Sequence, residues 1–359
     1  MLAIPAGLAV LTATAGPAAA DGVAGRWRSV SAFGADECAI RTDGALWCWG
    51  EAFDASSPGL SWTEIAPRTR WAEVENAWFH SCGIRTDRTL WCWGWNHTGA
   101  FGIGVTTGEG LPGEVIDPGT VIPAQEISRS RWLDVAPGRW FTCAIRVDGT
   151  LWCWGDNRFG QVGQGHVSDY QNGYGSPMRV GTATDWKQVA SAGDSVCGVR
   201  TGGTLWCWGA NNHGQIGDGT TTTRLVPTQV GTDTGWLSVS TGRTSACALR
   251  TGGQLWCWGN NESGQIGDGT TTTRLVPTQV GKGVTWTTVD VGTSHACGLS
   301  GDRLWCWGAD YHGPSGGPTM TPTRVDTDFA WTMVSANEER TCGITTGQLL
   351  RCWWPGGSI

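Results

Sequence analysis

One phrase recurs seven times along the 359-residue sequence: CAIRTDGALWCWG from Cys38, CGIRTDRTLWCWG from Cys82, CALRTGGQLWCWG from Cys247 and so on to an eroded CGITTGQLLRCWW from Cys342. Each copy follows a W-x-x-V element, starting at Trp27, Trp71, Trp132, Trp186, Trp236, Trp286 and Trp331, and the first Cys always lies eight positions beyond the valine. A variable stretch and a P-x-x-V element, or something near it, complete the unit. The stretch GQIGDGTTTTRLVPTQVG occurs identically at Gly214–Gly231 and Gly264–Gly281, which marks an internal duplication. A repeat of about fifty residues argues for one quasi-symmetric array, although a chain of this length could hold two or three ordinary domains.

The elements are short and punctuated by turn residues. Glycine is abundant, at 56 residues, and lysine and methionine are scarce, which disfavours long helices. Four strands per unit predict an all-β fold, a seven-bladed β-propeller with four-stranded blades. LWCWG is apolar on both alternating faces, as expected of a strand covered on both sides, and propeller blades are covered by their neighbours. An open solenoid is the structural alternative, but seven units of this size close naturally into a ring. The last unit lacks its P-x-x-V strand. The segment around Val23 is expected to supply it and close the ring; otherwise that blade has three strands and an open edge.

The fourteen cysteines form seven pairs with no odd one left over. Zinc sites usually show close C-x-x-C pairs or nearby histidines, and none of these pairs has that spacing, so disulfides are expected. Hairpin geometry supports the pairing. In CAIRTDGALWC a three-residue loop, Thr42-Asp43-Gly44, makes Arg41 face Ala45, and counting outward sets Cys38 opposite Cys48 at a non-hydrogen-bonded site, where side chains come closest. The sixth unit is one residue shorter, yet a two-residue loop, Gly301-Asp302, again sets Cys297 opposite Cys306. The expected bridges are Cys38–Cys48, Cys82–Cys92, Cys143–Cys153, Cys197–Cys207, Cys247–Cys257, Cys297–Cys306 and Cys342–Cys352. Each adds at most about 2–3 kcal/mol, and less where the hairpin already joins its ends. Leu255, Trp256 and Trp258 are expected to fill the gaps between blades.

Disulfides persist in oxidising compartments, and the N-terminus agrees. Residues 1–20 read as a secretory signal peptide that ends in Ala18-Ala19-Ala20 but lacks a basic n-region; an Ala-rich leader is the alternative. Residues 21–359 then form a single propeller, secreted or in the cell envelope. No other segment approaches the ~20 apolar residues of a membrane span. The net charge of −7 disfavours a general nucleic-acid binder.

The unit WLSVSTGRTSACALRTGGQLWCWGNNESGQIGDGTTTTRLVPTQVG resembles the repeat of the regulator of chromosome condensation family. The matching positions are Gly242, Leu249, Trp258-Gly259, Asn261, Gly264-Gln265-Ile266-Gly267 and Pro277, and the resemblance spans nearly all of residues 27–354. It implies a seven-bladed propeller. The paired Cys and doubled Trp depart from the eukaryotic form and look like an exported bacterial subgroup. The family's founder is a nuclear nucleotide-exchange factor for a small GTPase, and other relatives are secreted bacterial binders that grip targets with propeller loops. Fold alone does not decide between these.

Comparing the units separates scaffold from variable surface. The seven-residue link between Val and Cys keeps its length but not its content, from SAFGADE to ENAWFHS, APGRWFT and STGRTSA. Aromatics collect in units two and three: Trp78, Phe79 and His80, then Arg139, Trp140 and Phe141. The stretch after W-G is also longest there, contributing Trp95, His97, Phe101, Phe159, Tyr170 and Tyr174. In an up-down-up-down blade the first and third loops share a face, so both variable stretches converge and the hairpin tips point away. Trp and Arg are frequent interface anchors and function usually sits on loops; the competing role is that Phe79 or Trp140 plugs the inner packing.

Other chemistry is thin. His80 and His295 occupy equivalent positions, which suggests a repeat element instead of a metal ligand, and Asp218 and Asp268 are expected to shape turns. No catalytic motif, metal site or cofactor is expected. The favoured function is a monomeric, exported, non-catalytic propeller that binds a protein or a cell-surface glycan. A carbohydrate-active enzyme would need convergent rim acids, for which the links offer Asp36, Asp194, Glu338 and Glu339; a guanine-nucleotide exchange factor would need a reduced compartment.

Overall fold

The computed structural model describes residues 25–33, 36–50, 62–105, 123–169, 173–309, 318–325, 328–337 and 340–353. Every regular element among them is a strand, and the strands form seven antiparallel sheets in strict chain order. Blade 5 is representative: Trp236–Thr241, Ser245–Arg250, Gln254–Gly259 and Arg274–Val280, from the innermost strand to the outermost. Six sheets have four strands, and the seventh shows three, Trp331–Ala336, Thr341–Thr345 and Leu350–Trp353. The segment around Val23, expected to complete it, and the leader both lie outside the described residues.

The hairpin arithmetic holds in every blade. Arg41 donates its N–H to the Ala45 carbonyl (2.9 Å), so the alternation makes Cys38 and Cys48 a non-hydrogen-bonded pair, and they are register partners. All seven disulfides form, with Cα–Cα distances of 4.0–4.1 Å. Gly44 takes a φ of 88° and Gly301, in the shortened turn, 61°, the left-handed geometry such loops need. Blade 2 meets the same demand with Arg88 at φ 71°, a residue that pays for the conformation in strain.

The two tryptophans of LWCWG have different roles. The second is buried between blades, and in blades 3 to 6 its indole N–H donates to a carbonyl of the preceding blade. Trp208, Trp258 and Trp307 donate to the backbone oxygens of Gln161, Gln215 and Gln265, each at 2.9 Å. Trp258 sits in a core cluster formed jointly by blades 4 and 5, and Leu255 in the next one. The first tryptophan is only half-buried. Trp91 and Trp152 each lie 3.7 Å below a guanidinium, of Arg85 and Arg146, which also covers the W-x-x-V tryptophan of the same blade (5.1 and 5.2 Å). Trp256 follows this pattern with Arg250, so it covers the edge of the inter-blade gap while Leu255 and Trp258 fill it.

The W-x-x-V strands are innermost, and their free edges face the central channel. Buried backbone N–H groups there need partners, and side chains of the preceding blade supply them. Val135, Val189 and Val239 donate to Glu73 Oε1 (3.3 Å), Asp134 Oδ2 (2.7 Å) and Gln188 Oε1 (2.8 Å). Two residues along, Asn76, Val291, Ala336 and Ala32 donate to Ser31 Oγ (2.9 Å), Ser240 Oγ (3.1 Å), Asp290 Oδ2 (2.8 Å) and Ser335 Oγ (3.0 Å). The Ala32–Ser335 bond joins the first blade to the last. Trp27, Val30 and Trp49 share a core cluster with Cys342, Ile344 and Leu350, and fully buried Glu37 pairs with Arg340 at 3.0 and 3.2 Å. These contacts close the ring.

Candidate functional site

Because consecutive strands are antiparallel, the loop between strands one and two and the loop between strands three and four emerge on one face, and the disulfide hairpin tips on the other. Most of the seven-residue link turns out to be strand. In blade 2, Trp71–Asn76 is followed by a loop of only Ala77–Phe79, and His80 already opens the second strand, His80–Arg85. His80 and Phe141 are therefore buried starts of strands, and neither belongs to the exposed rim on which the aromatic clustering places them. The physical reason is pairing: the first residue of the second strand must turn inward to meet the Gly of W-G, as His80 meets Gly94 and Phe141 meets Gly155.

His80 Nε2 lies 2.8 Å from Thr142 Oγ1 of blade 3, and His295 Nε2 lies 3.0 Å from Thr341 Oγ1 of blade 7. The equivalence read from the repeats is thus an inter-blade contact. Burial lowers the His80 pKa to about 3, so its ring stays neutral. Phe101 is also buried in the core between blades 2 and 3.

The remaining aromatics of these loops pack together, with Trp95 exposed, Trp78 and Phe79 half-buried, and Trp140 buried, as the inner-packing alternative expects. Phe79 stacks on Trp140, with ring centroids 3.8 Å apart and planes inclined by 11°. Trp95, 52 % exposed, approaches Phe79 (6.0 Å), His97 (5.2 Å) and Trp140 (6.5 Å). Trp78 extends toward the ring centre, where it meets Phe33 of blade 1 (6.2 Å) and lies under two guanidiniums, Arg139 of blade 3 (5.6 Å) and Arg243 of blade 5 (5.3 Å). Side chains from four blades converge on this one ring. Phe33 also lines the cavity at the ring centre, so Trp78 lies at the cavity's mouth, and Phe79 and Trp140 pack beside it. Phe159 is half-buried beneath Arg158 (5.9 Å). Tyr174 stands apart, at the start of an outermost strand, with its hydroxyl 2.5 Å from His166 Nε2. Tyr170 lies outside the described residues.

The cavity has a volume of about 320 Å³ and is lined by the innermost strands of all seven blades. Glu75, Asp134 and Asp290 line it, and Glu73 stands beside Asp134. Burial pushes Glu75 up to about 8, and nearby Asp290 adds to the shift. Burial likewise raises Asp134 to about 6 and moves Glu73 and Asp290 upward. Glu73 and Asp134 occupy x positions of W-x-x-V, and Glu75 and Asp290 directly follow the valine; a polar residue at such strand positions normally signals solvent, which is why the sequence did not single them out. Of the four rim acids, Asp194 is described, with burial raising its pKa; Glu338 and Glu339 lie outside the described residues, as does the side chain of Asp36. Asp218 and Asp268 shape turns as expected, accepting the N–H groups of Thr220 and Thr270, each at 3.0 Å. Among the described residues, no group of three or more His, Cys, Asp or Glu side chains could hold a metal ion, and no helix is long and apolar enough to cross a membrane.

Two profiles described as Regulator of chromosome condensation (RCC1) repeat match residues 78–100, 133–161, 186–215 and 236–265, and residues 148–199, 202–249 and 252–299. The chain belongs to the RCC1 repeat family. Similar curated proteins include the human probable E3 ubiquitin-protein ligase HERC3, 34 % identical over 95 residues (26 % of this chain and 9 % of HERC3). The Arabidopsis thaliana ultraviolet-B receptor UVR8 is 32 % identical over 105 residues (29 % of this chain and 23 % of UVR8). The matched region thus spans less than a quarter of either relative. Among solved structures, human WBSCR16 superposes with a TM-score of 0.77 at 19 % identity, covering 90 % of this chain and 88 % of that one. The Saccharomyces cerevisiae protein Prp20p gives 0.73 at 17 % identity, covering 87 % and 80 %. At such identities the likeness concerns the fold of this RCC1-repeat propeller.

Proposed function

We propose that this RCC1-repeat propeller is an exported, non-catalytic binding module that takes a protein partner on the loop face of blades 2 and 3. The observation that carries the proposal is the cluster of exposed Trp95 with half-buried Phe79 and Trp78, backed by buried Trp140 and flanked by two arginines, residue types that often anchor interfaces. The loops that carry it vary in sequence on a scaffold otherwise repeated from blade to blade. Protein binding is also a use of this fold elsewhere: yeast RCC1 (Prp20) is described bound to Kap60, and its binding properties toward Gsp1p and histones are described as well. Seven disulfides favour an oxidising compartment, which sets this chain apart from a nuclear exchange factor.

The test uses the oxidised full chain as bait on the envelope and culture-fluid fractions of its host, beside Trp95→Ala, Phe79→Ala and, as control, Val276→Ala on an outermost strand. The expected result is one retained protein that the first two variants lose and the third keeps. Retention unaffected by both loop variants, or a retained species that only glycosidase removes, overturns the proposal.

A further inference from the structure

We infer that the mouth of the central channel, where Arg139 and Arg243 cover Trp78, is a docking point for an acidic segment of the partner protein, read through its carboxylates. The inference rests on the binding role proposed above and specifies its chemistry.

The two arginines come from different blades and converge on one indole. A guanidinium lying over an aromatic face uses its π surface there and keeps its in-plane N–H donors, the fork that matches a carboxylate. Among the described residues neither Arg139 nor Arg243 has an ion-pair partner, and Arg139 Nε is buried without an acceptor. Some arginines elsewhere are paired, Arg224 and Arg274 with Asp218 and Asp268 and Arg340 with Glu37. Arg85 and Arg146 on the Trp91 and Trp152 rings form no ion pair among the described residues, but they stand singly, not as a converging pair. The charged groups near the pair are Asp194, Asp156 and Arg158. Asp156 is taken by Arg158 at 2.9 Å. Asp194 feels the charge of both arginines, which lowers its pKa against the effect of burial. It makes no direct ion pair with either, and its buried Oδ1 has no hydrogen-bond partner among the described residues.

A patch with two cations that make no direct ion pair, on a chain of net charge −7, is selective for a short acidic element over a long polyanion, which the rest of the surface repels. The adjoining Trp95 and half-buried Phe79 offer apolar contact beside the charges, with Trp140 stacked beneath Phe79. The fitting ligand therefore has one or two Asp or Glu residues next to a large apolar side chain.

The experiment selects binders from a random heptapeptide library on the oxidised full chain, then measures the best peptide against Arg139→Gln/Arg243→Gln, Trp95→Ala and, as a control on the hairpin face, Arg303→Gln. We expect enrichment of Asp or Glu beside Leu, Phe or Tyr. Affinity should fall roughly tenfold or more in the double arginine variant, as for truncating one side of a desolvated charge pair, and stay unchanged in Arg303→Gln. Arg139→Lys/Arg243→Lys should restore only part of the loss, because an ammonium lacks the fork. If neutral or basic peptides are enriched, if no peptide is enriched, if heparin competes as well as the peptide, or if the double variant binds normally, the acidic-segment inference is overturned. Binding that depends on Trp95 but not on the arginines overturns this inference alone. Binding indifferent to Trp95 as well also removes the proposed function.

Discussion

The channel acids make a prediction that can be worked from the structure with its sign. The folded state holds the Glu75 proton up to about pH 8, whereas the unfolded chain releases it near the ordinary value of 4.5. The folded state then binds more protons than the unfolded one, so stability is highest below pH 4.5 and is lost as pH rises toward 8. Glu73, Asp134 and Asp290 act in the same sense. His80 opposes them, because the unfolded ring takes a proton that the buried ring refuses, but only below its ordinary value of 6.5. Above pH 6.5 the acids act without it. Between pH 6.5 and 8.5, Glu75 alone should lower stability by about 2 kcal/mol. Glu75→Gln keeps an oxygen where the Ser31 hydroxyl now donates (3.1 Å) but has nothing to titrate. Guanidinium denaturation followed by tryptophan fluorescence, with disulfides intact, should show wild-type stability falling over this interval and the variant falling by about 2 kcal/mol less. Equal slopes, or wild-type stability that rises with pH, would refute the placement of a protonated Glu75 in the channel.

Three further outcomes follow from the scaffold. Replacing Cys247 and Cys257 together by alanine should cost up to about 3 kcal/mol, the loop-entropy limit for a ring this short, and proteolysis should find the new weakness in blade 5. Arg88→Gly relieves a left-handed arginine in a hairpin turn and should raise stability by about 0.5–1 kcal/mol in the same denaturation assay. Arg340→Ala strands the buried Glu37 at the junction of the first and last blades and should cost about 3–5 kcal/mol, with faster hydrogen exchange confined to those two blades.

What could be read from the sequence was what the repeat states locally. Val-to-Cys spacing, loop length and alternation were enough to pair Cys38 with Cys48, and the shortened turn at Gly301-Asp302 tested the rule independently. The same local reading failed where burial depends on neighbouring blades. His80 and Phe141 look like rim residues beside Trp78 and Trp140, but strand pairing turns them inward. Glu73, Glu75, Asp134 and Asp290 look solvated, but Glu73, Asp134 and Asp290 cap backbone N–H groups of the next blade, and Glu75 and Asp290 accept a serine hydroxyl of the preceding one. Trp78 was identifiable as a candidate, but its partner Arg243 belongs to a link three blades away, and nothing short of ring closure brings the two together. The doubled tryptophan is similar: the phrase WCWG does not say that one indole staples blades while the other shelters an arginine.

The central claim, that binding belongs to the loop face of blades 2 and 3, can be tested with a photo-crosslinker. Benzoylphenylalanine placed at Trp95 or at Val276, both 52 % exposed, samples the proposed face and an outermost strand with equal access. The account predicts one discrete, protease-sensitive adduct from position 95 in the native envelope or culture fluid, and none from position 276. An adduct at position 276 without one at 95 would contradict it.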